Sequence, residues 1–335
     1  MKEYILLLPI LVSFLSSVYL IPHWIKRAHN AGLVGRDMNK PRKVYAAEAG
    51  GVIVIASFML GVLLYIALKT FYFGGTANVL EIFALLTSVL LVAFIGMIDD
   101  LLGWKIGLRK RIRLILVAFA AIPLMVINAG VTEIALPFAG KIMLGAFYTL
   151  FLIPLGIVGA STTFNFLAGY NGLEARQGIL IFLAFSIITY LTGNTWLTLI
   201  TLCIVAALIG FLFYNSYPAR IFPGDVLTYP LGALIAAIAI LGNIEKIALF
   251  IFIPNIIEVF LKLRGKLKAE SFAKPQSDGS LELRYKKIYG LEHLAIYLLK
   301  KYKQKVYEKD VVDFINLIQL IFIIAAFIIF GGGIF

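Results

Sequence analysis

The sequence is poor in charge and almost free of cysteine, and each shortage excludes a class of protein. Only 14% of the 335 residues are charged and 61% are hydrophobic, with a mean hydropathy of +0.96. A soluble domain, which carries roughly 25% charged residues, is therefore excluded. The one cysteine, Cys203, can neither pair within the chain nor build a multi-cysteine metal site. We interpret it as a small buried apolar residue.

Long apolar runs are what the chain has instead. About ten of them approach the roughly 17–25 residues needed to span a bilayer. They lie near 3–21, 47–69, 78–98, 113–129, 143–161, 178–193, 195–214, 226–242, 246–262 and 312–331. This pattern predicts an all-α integral membrane protein with a single polytopic domain over residues 1–335. The first run is too long for a typical signal peptide and lacks a clear cleavage site, so we expect a retained helix.

Positive charge is distributed unevenly between the loops. Nearly all of the 30 Lys and Arg fall in loops that ten spans would place on one side. These loops lie near 22–46, 99–113, 160–177, 215–225 and 263–311. Because positive loops stay cytoplasmic, we expect these loops in the cytosol and both termini outside. The net charge of +12 is then mostly a topology signal and requires no nucleic-acid partner.

The longest predicted cytosolic loop, 263–311, is an insertion with its own pattern. KPQSDGS is turn-rich, and LELRY alternates like a short strand. YGLEHLAIYLLKKYKQKV predicts an amphipathic helix with lysines on one face. Such a helix suits an anionic membrane surface and suits equally well packing on the protein's own loops.

Three polar motifs stand at helix ends in the predicted cytosolic loops: IDD at 98–100, NFLAGYNGLEARQ at 165–177 and NSYPARIFPGD at 215–225. They contain hard oxygen ligands of the kind that suit Mg²⁺, which usually binds one or two carboxylates plus phosphates. These ligands are Asp99, Asp100, Asn171 and Asp225. The glycines can offer backbone N–H groups to phosphate oxygens, and cations follow at 109–113. This combination is typical of phosphoryl transfer.

Each motif alone has a plainer interpretation. Asp99 and Asp100 would suit a solvated helix cap, Asn171 a turn, and Asp225 the N-cap of the next helix. A nucleotide-sugar transporter is an alternative class, but it should place ionisable groups near the bilayer midplane. An acid at mid-bilayer costs about 2.5–3.5 kcal/mol, and the penalty is smaller at a helix end beside cations.

Taken in order, the three motifs resemble the polyprenyl-phosphate N-acetylhexosamine-1-phosphate transferases, and most of all the branch that makes N-acetylglucosaminyl-diphosphodolichol. The resemblance runs from about residue 30 to the last helix. It implies ten transmembrane helices, a cytosolic active site and Mg²⁺ as cofactor. The implied reaction transfers GlcNAc-1-phosphate from UDP-GlcNAc to dolichyl phosphate and releases UMP. Another UDP-N-acetylhexosamine or undecaprenyl phosphate remains an alternative, and the oligomeric state stays open, a homodimer included.

The resemblance also implies roles for individual residues. Asp225 and Asn171 match the magnesium ligands, and Asp99 and Asp100 match the essential acidic pair of the catalytic site. Phe222 matches the aromatic residue that stacks on uracil. The other implied substrate-binding residues are Asn39, Lys40, Glu48, Lys110, Arg113, Asn165 and Glu174.

One departure from the family lies in the last cytosolic loop. Relatives carry Arg-His-Arg or a histidine cluster there, whereas this chain has KLKAESFAKP. His23, His29 and His293 lie elsewhere, so we expect no essential histidine at this motif. Arg264, Lys268 or Lys274 would supply a cation but no proton shuttle at neutral pH.

The implied reaction breaks a phosphorus–oxygen bond. The acceptor is a phosphate monoester with a second pKa near 6, so it is mostly dianionic at neutral pH. We therefore expect direct attack on the β-phosphorus, with charge neutralisation as the main task. A covalent aspartyl intermediate is the rival mechanism.

Overall fold

The computed structural model describes residues 2–103, 107–131, 133–136 and 140–334, and long helices dominate it. The helices are α1 (Leu7–Asn30), α2 (Gly51–Ala67), α3 (Val79–Leu102), α4 (Lys110–Phe119), α5 (Ile122–Val126), α6 (Ile153–Phe166), α7 (Leu173–Leu191), α8 (Thr195–Asn215), α9 (Asp225–Gly242), α10 (Glu245–Ile251), α11 (Ile253–Arg264), α12 (Leu291–Leu299) and α13 (Glu308–Ile334). Short 3-10 or π-helical segments extend three of them: Lys2–Leu6, Leu68–Tyr72 and Tyr148–Leu152.

Short antiparallel hairpins complete the described structure. Strands β1 (Val34–Arg36) and β2 (Tyr45–Ala47) pair, as do β3 (Glu133–Leu136) with β4 (Gly140–Met143) and β5 (Lys274–Pro275) with β6 (Leu281–Glu282). Ala47 also forms a parallel bridge with Ile221. This bridge joins the loop before α2 to the loop before α9.

Eight helical segments in the described residues are long and apolar enough to cross a membrane. The two other predicted spans, 113–129 and 246–262, are helical but divided. Helix α5 starts next to Pro123 and α11 next to Pro254. Proline has no backbone N–H and is best tolerated in the first turn of a helix, which is where Pro123 and Pro254 lie. The prediction of an all-α integral membrane protein is confirmed, with eight candidate spans among the described residues in place of the predicted ten.

Helix α9 is the central element of the bundle. It is buried along nearly its whole length and packs against both α3 and α6. Glycines allow these close contacts: a Cβ at Gly96 would lie 2.4 Å from the carbonyl oxygen of Asp225, and one at Gly232 would lie 2.3 Å from that of Ala160. Helices in lipid associate through such tight packing of small residues. The crossing brings the acidic end of α3 to the start of α9.

A second, smaller core ties the 263–311 segment to the bundle. Leu291, Ala295 and Ile296 of α12 are buried in it, together with residues from the starts of α7 and α13. Of the two alternatives for the amphipathic helix, packing on the protein's own elements is the one observed. The predicted strand in LELRY is present but short, as β6.

Candidate active site

One cavity of about 1000 Å³ lies where the three polar motifs meet. It opens at the C-terminal end of α3 and the N-terminal ends of α4, α7 and α9. Every predicted site residue except Asn39 and Lys40 lines it: Glu48, Asp99, Asp100, Lys110, Arg113, Asn165, Asn171, Glu174, Phe222 and Asp225. Motifs far apart in the sequence therefore form a single site.

One guanidinium nitrogen joins carboxylates from two motifs. Nη1 of Arg113 lies 2.7 Å from Oδ2 of Asp99 and 2.6 Å from Oδ2 of Asp225. The other oxygen of Asp99 accepts the backbone N–H of Leu108 at 2.5 Å. The guanidinium also lies 5.0 Å from the ring centre of Tyr229, within range of a cation–π contact. Two acids thus share one cation, which offsets the cost of burying them.

Asp100 has a different task from its neighbour. Its Oδ1 accepts the backbone N–H of Asp225 at 2.8 Å, and its Oδ2 accepts that of Val226 at 3.0 Å. A carboxylate here satisfies unpaired N–H groups and meets the positive end of the α9 dipole. A Cβ at Gly224 (φ +71°) would lie 2.3 Å from this carboxylate. The N-cap interpretation of Asp225 is wrong, because Asp225 is the first residue of the helix and Asp100 supplies the cap.

The two asparagines of NFLAGYNG have different partners. Oδ1 of Asn165 accepts the hydroxyl of Thr228, one turn into α9 after Asp225, at 2.7 Å. Asn171 is 5% exposed, and its amide is engaged at both ends. Nδ2 donates to Asp37 at 3.1 Å, and Oδ1 accepts the backbone N–H of Ala219 at 2.8 Å. Asn165 therefore contacts the helix that carries Asp225, whereas Asn171 fastens loops together.

Two glutamates, Glu174 and Glu48, line the cavity. Oε1 of Glu174, in the first turn of α7, accepts the backbone N–H of Gly169 at 2.8 Å. Glu48 lies under the first loop, since a Cβ at Gly35 would meet its Oε1 at 1.8 Å. Burial, together with the nearby charge of Asp100, raises the pKa of Glu48 to about 7. Several of the described cavity residues lie outside the spanning helices. Among these, Glu48 alone has a carboxyl pKa raised this far.

The backbone on both sides of Phe222 is fixed. Its N–H donates to the carbonyl of Ala47 at 2.7 Å, and its own carbonyl accepts the N–H of Gly50 at 2.9 Å. These bonds hold the ring in the cavity wall. An aromatic face there is suited to stacking on a planar base.

Asn39 and Lys40 lie behind the cavity. Nδ2 of Asn39 donates to the carbonyl of Gly169 at 2.9 Å, and its Oδ1 accepts the N–H of Ala273 at 3.1 Å. Lys40 forms an ion pair with Asp37 at 3.0 Å and another with Glu308. Neither residue lines the cavity, so their predicted place at the substrate stays a prediction.

Sequence reasoning missed several residues of the site. Glu308 accepts the backbone N–H of Asn171 at 2.7 Å, and Asp37 and Thr228 hold the two asparagine side chains. Glu308 begins the last helix in EKDVVD, where an acid is typical of any helix N-terminus. Only the DMNK stretch, which places Asp37 beside two predicted site residues, offered a usable signal.

The last loop, which departs from the family pattern, forms part of the cavity wall. Leu267, Glu270 and Phe272 line the cavity, and Nζ of Lys110 donates to the carbonyl of Leu267 at 3.3 Å. Lys274 lines a separate, smaller cavity. In the described part of the chain, neither Arg264 nor Lys268 lines the larger one.

His293 lies away from this wall, in the buried face of α12. Its ring meets the edge of Tyr285 at 5.5 Å between centres, and burial lowers its pKa to about 4. The imidazole is therefore neutral at pH 7. The described lining residues of the cavity include no histidine, and the absence of an essential histidine at the last-loop motif stays a prediction.

The donor set fits a hard dication. No group of three or more His, Cys, Asp or Glu side chains among the described residues is arranged to hold a metal alone. Mg²⁺ does not require one, because it keeps several waters and binds one or two carboxylates plus phosphates. The carboxylates of Asp99 and Asp225 converge on a single cation position, taken here by the guanidinium of Arg113.

Comparison with known proteins matches residues 82–243 to the profile described as glycosyl transferase family 4. A Saccharolobus solfataricus protein, provisionally named a UDP-N-acetylglucosamine–dolichyl-phosphate N-acetylglucosaminephosphotransferase, is 38% identical over 88% of this chain and 89% of that protein. The Dictyostelium discoideum protein of that name is 31% identical over 71% and 66%. A phospho-N-acetylmuramoyl-pentapeptide-transferase of Halalkalibacterium halodurans is 30% identical over 79% and 86%.

Proposed function

The chain belongs to glycosyl transferase family 4, and from that premise we propose that it transfers GlcNAc-1-phosphate from UDP-GlcNAc to dolichyl phosphate, releasing UMP. The protein is a multi-pass membrane phosphotransferase. The observation that carries the assignment to this cavity is the meeting of Asp99, Arg113 and Asp225 at one point. Asp99 and Asp225, bridged by the guanidinium of Arg113, suit a reaction that brings two phosphates together.

The chain's own residues account for binding and charge. Arg113 and Lys110 are placed at the cavity wall to neutralise the two phosphate groups. Phe222 would stack on uracil, with Asn165 and Glu174 in the nucleotide pocket. Asp99 would orient the acceptor through Arg113, and Asp100 keeps the start of α9 in place. The dianionic acceptor phosphate then attacks the β-phosphorus directly, since it needs little help from a base.

We further propose Mg²⁺ as the cofactor. When bound, it would act as a Lewis acid that neutralises the diphosphate. Asp225 is the first protein ligand of this proposal. The sequence motif favours Asn171 as the second. Asn165 is the alternative, because it contacts Thr228 on α9, the helix that carries Asp225. Asn171 instead contacts Asp37 and Ala219 in loops.

The loop charges support a cavity that faces the cytosol, with both termini outside. In a prokaryote or archaeon the membrane is the cell membrane, and in a eukaryote it is that of the endoplasmic reticulum. A homodimer stays within the proposal as an alternative to the monomer.

An assay matrix tests the function. UDP-GlcNAc, UDP-GalNAc and UDP-MurNAc-pentapeptide are each combined with dolichyl and undecaprenyl phosphate, with and without Mg²⁺, and UMP is measured. We expect release of UMP with UDP-GlcNAc and dolichyl phosphate only when Mg²⁺ is present, and none from Asp225→Ala. Transport of the nucleotide sugar into liposomes without UMP release would instead establish a transporter.

The same assays distinguish the second candidate function, the transfer of phospho-N-acetylmuramoyl-pentapeptide. The Halalkalibacterium relative is nearly as similar as the Dictyostelium one, and its name specifies a muramoyl-pentapeptide. Preferred turnover of UDP-MurNAc-pentapeptide with undecaprenyl phosphate would move this chain to that branch.

A further inference from the structure

A cluster of buried ionisable side chains lies behind one wall of the cavity. Glu258 and Lys262 of α11 meet Glu292 and His293 of α12, and their exposed fractions are 0%, 6%, 0% and 0%. None of the four lines the cavity, and the proposed reaction uses none of them. Burying a charge costs several kcal/mol unless it is well paired, so the cluster requires an explanation.

One lysine faces two carboxyl groups in this cluster. Nζ of Lys262 lies 3.2 Å from Oε1 of Glu258, whose Oε2 accepts the N–H of Leu291 at 2.5 Å. A Cβ at Gly290 would lie 2.4 Å from Oε2 of Glu292 and 3.0 Å from Oε1 of Glu258. Both carboxyl groups therefore flank the same point in the backbone. Lys262 can balance only one negative charge.

A single proton neutralises the second carboxyl group, for which Lys262 has no charge left. Burial, and the adjacent carboxyl of Glu258, raise the pKa of Glu292 to about 8. Glu292 thus holds a proton at neutral pH. The titratable and charged groups around the cluster are Glu258 and Lys262 of α11, Glu292 and His293 of α12, Tyr170 before α7, Glu270, Arg284 and Tyr285 of the last loop, and Glu308 of α13.

Lys262 also reaches out of the cluster to the cavity wall. Its Nζ donates to Oγ of Ser271 at 2.5 Å. Ser271 directly precedes Phe272, whose ring lies against the NFLAGYNG motif, because a Cβ at Gly169 would meet it at 2.9 Å. On the other side of Ser271, the N–H of Glu270 donates to the hydroxyl of Tyr285 at 3.2 Å. The tether therefore ends between two residues that line the cavity.

We propose that Lys262, held by Glu258 and Glu292, is a positioning residue that fixes Ser271 and so sets the donor side of the active-site wall. The proposal rests on the function proposed above. Phe272 lies against the motif assigned to the nucleotide, so the effect falls on donor binding. Neither lipid binding nor the chemical step depends on this tether.

Ser271→Ala is the decisive variant, because it removes the tether while keeping all four ionisable side chains of the cluster. We expect the KM for UDP-GlcNAc to rise about five- to tenfold, the scale of one ordinary intramolecular hydrogen bond. The KM for dolichyl phosphate and kcat should stay within about twofold of wild type, because the tether reaches only the donor wall. Ser277→Ala, the same change at an exposed serine of the same loop, is the matched control and should leave all three constants unchanged.

Glu292→Gln tests the shared proton. In the wild type, loss of this proton above about pH 8 leaves two carboxylates facing one lysine, so the KM for the donor should rise there. Glutamine mimics the protonated carboxyl, so the variant should match wild type at pH 7 and show a flatter KM profile above pH 8. Identical profiles for both proteins would contradict the role of Glu292.

Equal donor KM values in Ser271→Ala and Ser277→Ala would overturn the proposal, as would a matching rise in the KM for the lipid. If wild-type protein releases no UMP from any donor, the proposed function fails instead. Calorimetry with UDP-GlcNAc then decides the tether alone: weaker binding to Ser271→Ala than to the control supports it, and equal binding overturns it.

Discussion

At the scale of residues, Asn165 and Asn171 offer the sharpest division of roles. We expect Asn165→Ala to raise the Mg²⁺ concentration needed for half-maximal activity at least tenfold, because Asn165 contacts α9 one turn from Asp225. Asn171→Ala should leave that concentration unchanged. It should instead destabilise the fold by about 1–3 kcal/mol, since Asp37 and the N–H of Ala219 lose a buried partner.

Magnesium titrations of activity, paired with thermal unfolding in detergent, measure both effects. The reverse pattern, with the metal requirement following Asn171, would restore the assignment made from the sequence motif. Asn39→Ala is a useful comparison, because it also removes loop-to-loop hydrogen bonds although Asn39 itself does not line the cavity.

Glu48 gives a prediction for pH. Its pKa is about 7 in the folded protein and near 4.5 in the unfolded chain, so the folded state binds the extra proton between these values. Stability contributed by Glu48 is therefore greatest below about pH 4.5 and falls as pH rises to about 7. We expect Glu48→Gln to show a smaller loss of Tm than wild type between pH 5 and 7.5. Parallel Tm curves would contradict this expectation.

The cavity residues were largely predictable from the sequence, but their bonds were not. Asp99, Asp100 and Asp225 stood out because carboxylates are rare in an apolar chain. Two of the pairings join distant parts of the sequence: Arg113 with Asp225, and Asp100 with the start of α9. No local pattern records such pairs.

At the scale of elements, the crossing of α3 and α9 depends on Gly96. A methyl group there would meet the carbonyl oxygen of Asp225 at 2.4 Å. We expect Gly96→Ala to destabilise the protein by about 1–3 kcal/mol through overpacking and to lower activity by displacing the start of α9. Thermal unfolding and turnover measure the two effects.

Gly159→Ala in α6 is the matched control. A Cβ at this helical glycine meets nothing within 4 Å, so alanine should be neutral or stabilise the helix by up to about 1 kcal/mol. Equal losses at Gly96 and Gly159 would show that helix packing at this crossing is not what limits stability.

Hydropathy located the helices but misplaced several ends for physical reasons. The predicted span 178–193 omits LEARQ, yet α7 begins at Leu173 because Glu174 and Gln177 find buried partners. The predicted span 113–129 likewise omits Lys110, although α4 begins there. The first turns of these helices are polar because they form part of the site. A search for apolar runs therefore leaves them out.

At the scale of the whole molecule, orientation is a prediction that impermeant labelling can test. Cys203 is fully buried, so the wild-type protein should react with no membrane-impermeant maleimide. We expect Ser277→Cys to be labelled only from the cytosolic side and Thr192→Cys, in the turn between α7 and α8, only from outside. Labelling of both from one side would refute the topology inferred from the positive charges.

The overall architecture followed from composition, but the arrangement of its parts did not. Apolar runs and loop charges predicted the class of fold and the side on which the motifs gather. They carried no information that α9 would be central or that the 263–311 segment would share a core with α7 and α13. Such contacts depend on shape complementarity between distant surfaces.

The carboxylate of Asp100 that caps α9 changes how genetic loss of function there should be interpreted. An inactive Asp100→Ala protein would have lost the cap of the helix that carries Asp225, whether or not the acid takes part in chemistry. Loss of activity in such an allele is thus evidence about the structure of the site. Asparagine at this position has one acceptor oxygen and keeps at most one of the two amide contacts, so Asp100→Asn changes the cap as well as the charge.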